Sequence, residues 1–134
     1  MCVVIRLSFV VHGPPVPKAR ARVVSRVENG KTKTRGVTPA KTRDYEKLVN
    51  LCALGARLKH GAWPHVERSV HYGIKLRVFR SRDAGDLDNY VKAVSDACNG
   101  VLWLDDSQIR RIDAMVDGCE KGRERVEVEV WTLG

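Results

Sequence analysis

The sequence has no apolar run approaching the roughly 20 residues needed to cross a bilayer. The longest, Val3 to Val11, is broken by Arg6 and ends without a small-residue cleavage site. No membrane association is expected, and a cytoplasmic protein is. Four cysteines (Cys2, Cys52, Cys98, Cys119) form no CxxC pair, and four histidines (His12, His60, His65, His71) supply no zinc-finger spacing. Reduced, mostly buried thiols are expected, although four cysteines allow three pairings and two disulfides stay formally open. There is no glycine-rich loop of the kind that cradles nucleotide phosphates, no internal repeat and no low-complexity segment. Trp63, Trp103 and Trp131 are too scattered to form a base-stacking platform, so single-strand binding by stacking is not indicated. The 134 residues leave no room for a second domain, since one domain commonly takes on the order of 100 to 150.

What the chain does have is charge, unevenly placed. Residues 1 to 43 carry ten Lys and Arg against Glu28 alone, whereas the remaining 91 residues carry 14 basic and 15 acidic groups. The overall +8 therefore resides in one segment. Such a concentration suits a polyanion, because each neutralised phosphate releases condensed counterions; the plainer reading is a solvated loop that aids solubility. Eight of the nine aspartates fall between residues 83 and 117. A basic front and an aspartate-rich back call for a joint explanation.

Periodicity orders the chain. Val3 to Val11 reads as a strand with Ile5, Leu7 and Phe9 on one face. Residues 12–37 show no sustained period and read as a long basic loop, with room for a short hairpin around Glu28-Asn29-Gly30. Thr38-Pro39 looks like a helix start, and Tyr45, Leu48, Val49, Cys52 and Ala56 then recur at helical spacing, giving a helix over about 39–59. Arg68 to Arg80 alternates, with Val70, Tyr72, Ile74, Leu76 and Val78 on one side. Asp86 or Asp88 caps a second helix running to Asn99-Gly100, whose buried stripe is read as Leu87, Val91, Val94 and Cys98. Strands over about 107–116 and 123–131 close the chain. The expected fold is α+β: a small mixed or antiparallel sheet of about four strands with two helices packed on it, in the order β-α-β-α-β-β.

The sharpest local feature is Asp86-Leu87-Asp88-Asn89 with Lys92, followed by Asp105-Asp106. Two aspartates one residue apart at a strand-to-helix junction can aim at one spot, where their repulsion demands a cation. Carboxylates without Cys or His partners suit a hard ion such as Mg²⁺ or Mn²⁺. Such an ion polarises a phosphodiester and acidifies the attacking water. Lys92 lies one helical turn beyond Asp88, where an ammonium offsets charge developing on a phosphate; the plainer reading is a surface ion pair. A turn with solvated acids is the ordinary meaning of Asp105-Asp106, and Asp96 reads as a helix-face residue. In the front segment, prolines stiffen the start of a run that alternates Lys18, Arg20 and Arg22 with small residues, an arrangement that favours phosphate contacts.

Taken together, GPPVPKARAR at 13–22, VTPAKTRDYEKLV at 37–49 and GDLDNYVKAVSDACNGVLWLDDSQI at 85–109 resemble the RusA family of Holliday junction resolvases of bacteria, phages and prophages. The resemblance spans roughly residues 3 to 130, making 1–134 a single RusA-like domain. It implies a homodimeric, Mg²⁺-dependent endodeoxyribonuclease of DNA recombination and repair that recognises four-way junctions and makes paired symmetric nicks, with Mn²⁺ as a substitute ion. Carried over by position, the metal-binding catalytic acids fall on Asp86, Asp88 and Asp106 and the catalytic lysine on Lys92. The DNA-binding cations are sought among Lys18, Arg20 and Arg22, and Asn89 and Asp105 are auxiliary. Two rivals stand beside it: a junction-binding protein without catalysis, and a metal-dependent phosphohydrolase of small molecules. The second is disfavoured by the missing phosphate loop and by a basic segment larger than a nucleotide needs.

Overall fold

The computed structural model describes residues 3–19, 22–37 and 39–134. Arg20, Cys2 and Thr38 lie outside the described residues. The elements are β1 (Arg6–His12), β2 (Arg22–Glu28), β3 (Lys31–Val37), α1 (Ala40–His60), β4 (His71–Arg80), α2 (Leu87–Ala97), a 3₁₀ turn (Asp106–Gln108), β5 (Ile109–Gly118) and β6 (Arg125–Leu133). The α+β class and element order are as expected, with one addition in the front segment.

That addition corrects the reading of 12–37 as a loop. β2 and β3 pair antiparallel from Arg22↔Val37 to Glu28↔Lys31 and form a two-stranded sheet of their own. Asn29 and Gly30 turn the chain with φ of 54° and 74°. Two consecutive left-handed residues make the tight turn whose twist matches the flanking strands, and Asn-Gly adopts it at least cost. Only the backbone of Arg22 is described.

The main sheet has strand order β1-β6-β4-β5. β6 runs antiparallel to both neighbours, and β4 and β5 are parallel, joined by α2 as a βαβ crossover. Both helices cover one face. Tyr72, Ile74, Leu76 and Val78 of β4 point into that layer and are buried, whereas Lys75 and Arg77 between them are exposed. Val126, Val128 and Val130 of β6 face the same way, meeting Val49 and Ala53 of α1 and Val94 of α2 in one apolar cluster. Each such aliphatic chain contributes roughly 1.5–3 kcal/mol through its removal from water. Burial also pushes the Cys98 thiol up to about 12, so it is a core residue and not a reactive one.

Two expected faces turn out differently. On α2, Val94 and Cys98 are buried and Val91 packs against the core as read, but Tyr90, Ala93, Ser95 and Ala97 are buried as well and Leu87 is 38% exposed. Asp86 holds the N-cap position, which puts Leu87 in the first turn, beyond the edge of the layer beneath. On α1, Tyr45 and Val49 are buried as read, but Leu48 is exposed, with Leu51 and Leu58 at 65% and 67%.

The start of α2 is held by the proline segment. Gly85 has φ of +87°, and a Cβ there would stand 2.6 Å from Pro17 Cγ, so only glycine lets these strands of chain touch. The Lys18 amide donates to Asn89 O at 2.9 Å. The Tyr90 hydroxyl donates to Ala84 O.

Candidate active site

The site is built on α2. Asp86 occupies the N-cap position in an extended conformation, yet its carboxylate makes no capping hydrogen bond. Asp88 lies in the first turn, where the helix dipole favours negative charge. Both are exposed, and neither carboxylate forms a hydrogen bond or ion pair among the described residues. Asn89 is half-buried and serves through its backbone carbonyl, which receives the Lys18 amide.

One turn on, Lys92 donates to Asp96 Oδ1 at 3.0 Å and stands 3.6 Å from Asp106 Oδ2. The other Asp96 oxygen, Oδ2, is 3.4 Å from Lys18 Nζ, which also meets Glu46 Oε1 at 2.5 Å. A chain of alternating charge thus runs from Glu46 on α1 through Lys18, Asp96 and Lys92 to Asp106. Asp96 is only 20% exposed and is shared by the two lysines. Its hydrogen bond is the main reason that the Lys92 pKa stands above the ordinary lysine value, with Asp106 adding to it. For Lys18, burial works against the charge, but Glu46 and Asp96 outweigh it and raise the pKa as well.

The Asp105-Asp106 pair divides its work. Asp105 caps the 3₁₀ turn, accepting from the Ser107 amide at 3.0 Å, and the Ser107 side chain, with that amide, holds its carboxyl below the usual range. Gln108 closes the capping box by accepting from the Asp105 amide, and its own amide group donates to Glu67 O and Val70 O at 2.9 Å each. Asp106 is left to face Lys92. Behind the turn, Trp103 is fully buried and donates to Asn99 Oδ1 at 2.9 Å.

Asp86 and Asp88 therefore stand at the start of α2, and Lys92, at mid-helix, meets Asp96 and Asp106. Lys18 points into the carboxylate network. Among the described residues no three His, Cys, Asp or Glu side chains lie close enough to hold a metal ion, so Asp86, Asp88 and Asp106 do not surround a single point. In kind, the donors suit a hard ion: two carboxylates that make no hydrogen bond or ion pair among the described residues. Mg²⁺ commonly takes one or two carboxylates and completes its shell with water and substrate phosphate.

The sequence profile described as endodeoxyribonuclease RusA matches residues 12–131. The chain belongs to the RusA endodeoxyribonuclease family. The match embraces the two-stranded ribbon, both helices and the whole α2 site, and it confirms the resemblance carried by the GDLDN and LDDSQ segments. The uncharacterized protein YqaN of Bacillus subtilis (strain 168) is 30% identical over 140 residues, covering 92% of this chain and 94% of YqaN. Among solved structures, the protein Atu1372 of Agrobacterium tumefaciens, of unknown function, aligns over 87% of this chain and 80% of its own, at 14% identity and a TM-score of 0.37. Within the RusA frame, Asp96 and Glu46 are the residues that sequence reasoning missed. An i, i+4 Lys-Asp spacing was the one available signal for Asp96. Among the described residues no helix is long and apolar enough to cross a membrane.

Proposed function

We propose that this RusA-family chain is a structure-selective endonuclease that resolves four-way DNA junctions by paired symmetric nicks in a Mg²⁺-dependent reaction. The observation that carries the reading is Lys92, held charged between Asp96 and Asp106 one turn beyond the two unengaged carboxylates of Asp86 and Asp88. Asp86 and Asp88 would hold the ion, with Asp106 as a further acid beside the lysine. When bound, the ion supplies a polarised phosphodiester and a more acidic attacking water. Lys92 offers a compact ammonium to the charge that grows on the phosphate oxygens as the bond breaks. Asp96 fixes where that ammonium stands and keeps its proton on. Arg20 and Arg22 belong to the basic front of the chain and are assigned to the DNA backbone, with Lys18 anchoring that front to α2.

Because Asp96, with Asp106 adding to it, raises the Lys92 pKa, the side chain holds its charge more firmly than an ordinary lysine. Asp96→Asn removes the main cause of the shift, so the alkaline fall of the pH–rate profile moves to lower pH. The rate at neutral pH drops by roughly 10- to 100-fold, the scale seen for groups that orient a functional side chain. Asp96→Glu restores part of both. An alkaline limb that does not move separates Asp96 from Lys92.

Paired cutting calls for two sites related by a two-fold axis, which an isologous homodimer provides. The exposed face of α1 supplies an apolar strip, Leu48, Leu51 and Leu58, for a second copy. Sedimentation is expected to give the dimer mass for the native chain and the monomer mass for Leu51→Asp/Leu58→Asp. A native chain that sediments as a monomer on junction DNA contradicts the dimer.

The absence of a three-acid cluster among the described residues favours one rival, a junction-binding protein that does not cut. A labelled synthetic four-way junction, incubated with Mg²⁺ or with chelator and compared with linear duplex, separates the two. Mg²⁺-dependent paired nicks in the junction alone support the nuclease; tight binding without nicks in Mg²⁺ or Mn²⁺ selects the binder.

A further inference from the structure

A second charged feature is lined by residues other than those of the aspartate-lysine network. The C-terminal end of β4, the first turn of α1 and the turn before β6 enclose a cleft of about 450 Å³. Pro14 and Pro17 form one wall, and Lys41, Arg80, Arg82 and Lys121 line the rest. These cations come from both charge regions of the sequence, so no single stretch of it displays them together.

Of the four cations in this cleft, only Arg80 is tied into the fold by hydrogen bonds among the described residues. Lys41, Arg82 and Lys121 are exposed and form no hydrogen bond or ion pair among the described residues. Glu124, the carboxylate in the lining, is already engaged by the Ser81 hydroxyl and the Gly122 amide, both at 2.8 Å. Its own backbone amide and Ser81 hold its carboxyl below the ordinary range, so it stays an acceptor turned toward its own turn. Arg80 is fixed as part of the wall by Gly85 O at 2.8 Å and Asp83 at 3.1 Å. Lys41 is also placed where a helix pays for it: the first turn of α1 holds no acidic residue, and a cation at that end opposes the dipole. Four cations around one concavity, with Lys121 acting on Glu124 from a distance and neither Lys41 nor Arg82 hydrogen-bonded or ion-paired among the described residues, fit a chain of phosphates better than any neutral ligand.

We propose that this cleft seats the phosphodiester backbone of the DNA substrate and leads it to Asp86. Ala84 of its lining stands two residues before that aspartate, and Tyr90 of its lining is in the first turns of the catalytic helix. The proposal rests on the endonuclease reading and extends it, because it gives the duplex a contact surface apart from the basic front of the chain.

The test is the salt dependence of junction binding, read by fluorescence anisotropy in chelator so that no strand is cut. Lys41→Ala/Arg82→Ala/Lys121→Ala is expected to reduce the slope of log Kd against log salt by about two to three and to weaken binding more than about tenfold near 0.1 M salt. Swapping the charges in kind, with Lys41→Arg, Arg82→Lys and Lys121→Arg, keeps the slope. Lys59→Ala/Lys75→Ala/Arg111→Ala lowers the net charge equally at other surfaces and leaves the slope near its native value. Lys121→Glu alone, on an exposed turn, weakens binding severalfold and serves if the triple variant does not fold. A native slope in the cleft variants, or equal losses in the two neutralised triples, overturns the cleft. A native chain with no affinity for any DNA overturns instead the reading beneath it.

Discussion

Asp88→Asn lowers junction cleavage by at least about a thousandfold, the upper scale for loss of one preorganised electrostatic group in an active site. The substitution keeps the size and shape of the side chain and removes its charge. Asp88 is exposed and makes no hydrogen bond within the described residues, so the fold has little to lose. What it does lose is a favourable charge at the start of α2, worth about 0.3–1 kcal/mol. Thermal unfolding and junction affinity in chelator are therefore near native, while the rate collapses. Lys92→Ala is predicted to behave alike in rate, but it also strips Asp96 and Asp106 of their shared cation. Native cutting rates in purified Asp88→Asn, at any Mg²⁺ concentration, contradict the assignment.

Trp103→Ala has the largest expected effect on stability, about 3–5 kcal/mol. Trp103 is fully buried, and its ring lies 5.7 Å from that of Tyr72, which in turn stacks on Trp63 at 5.5 Å. A domain of this size is stable by only about 5–15 kcal/mol, so the change removes a large share of the total. Its consequences reach the site, since Trp103 anchors the turn from Asn99 that delivers Asp105 and Asp106 to α2. Trp103→Phe isolates the polar part: it keeps most of the apolar contact but strands Asn99 Oδ1, at a cost of about 1–3 kcal/mol. Calorimetry or denaturant titration measures both. A loss below 1 kcal/mol for the alanine variant contradicts this placement of the residue.

Elements with a strong local period were legible in the sequence. β4 alternates because one face meets the helices and the other meets water, and the two helices announced themselves through spacing, although the N-cap of α1 is Pro39 and neither it nor Asp86 makes a side-chain capping hydrogen bond. Asn29-Gly30 marked its turn, and the alternation of Lys31, Lys33 and Arg35 with Thr32 and Thr34 was present beside it, but with so few apolar residues on the second face the period is weak in hydropathy and the ribbon was read as a loop. Faces were harder than elements. Leu87 and Leu48 fit an apolar stripe on paper, yet each stripe can be shifted by one residue without losing its period, and only the position of the sheet decides which is buried. The site divides along the same line. Asp86, Asp88 and Lys92 lie within seven residues of one helix and could be read together, whereas Lys18 and Asp96 are joined by tertiary packing that leaves no local trace. Asp105 and Gln108 form a capping box whose spacing was present in the sequence, and that spacing separates the structural acid from Asp106. The cationic cleft was hidden because its residues are divided between the basic front and the nearly neutral remainder.

The central claim is that the hard ion is held at the start of α2. It is tested most directly by locating a paramagnetic stand-in: Mn²⁺ added substoichiometrically to the ¹⁵N-labelled protein bound to a junction with non-cleavable linkages. The account predicts that amide signals broaden first around Asp86 to Asn89, and that Asp88→Asn abolishes the effect. Broadening centred on another part of the chain, or unchanged by that substitution, contradicts it.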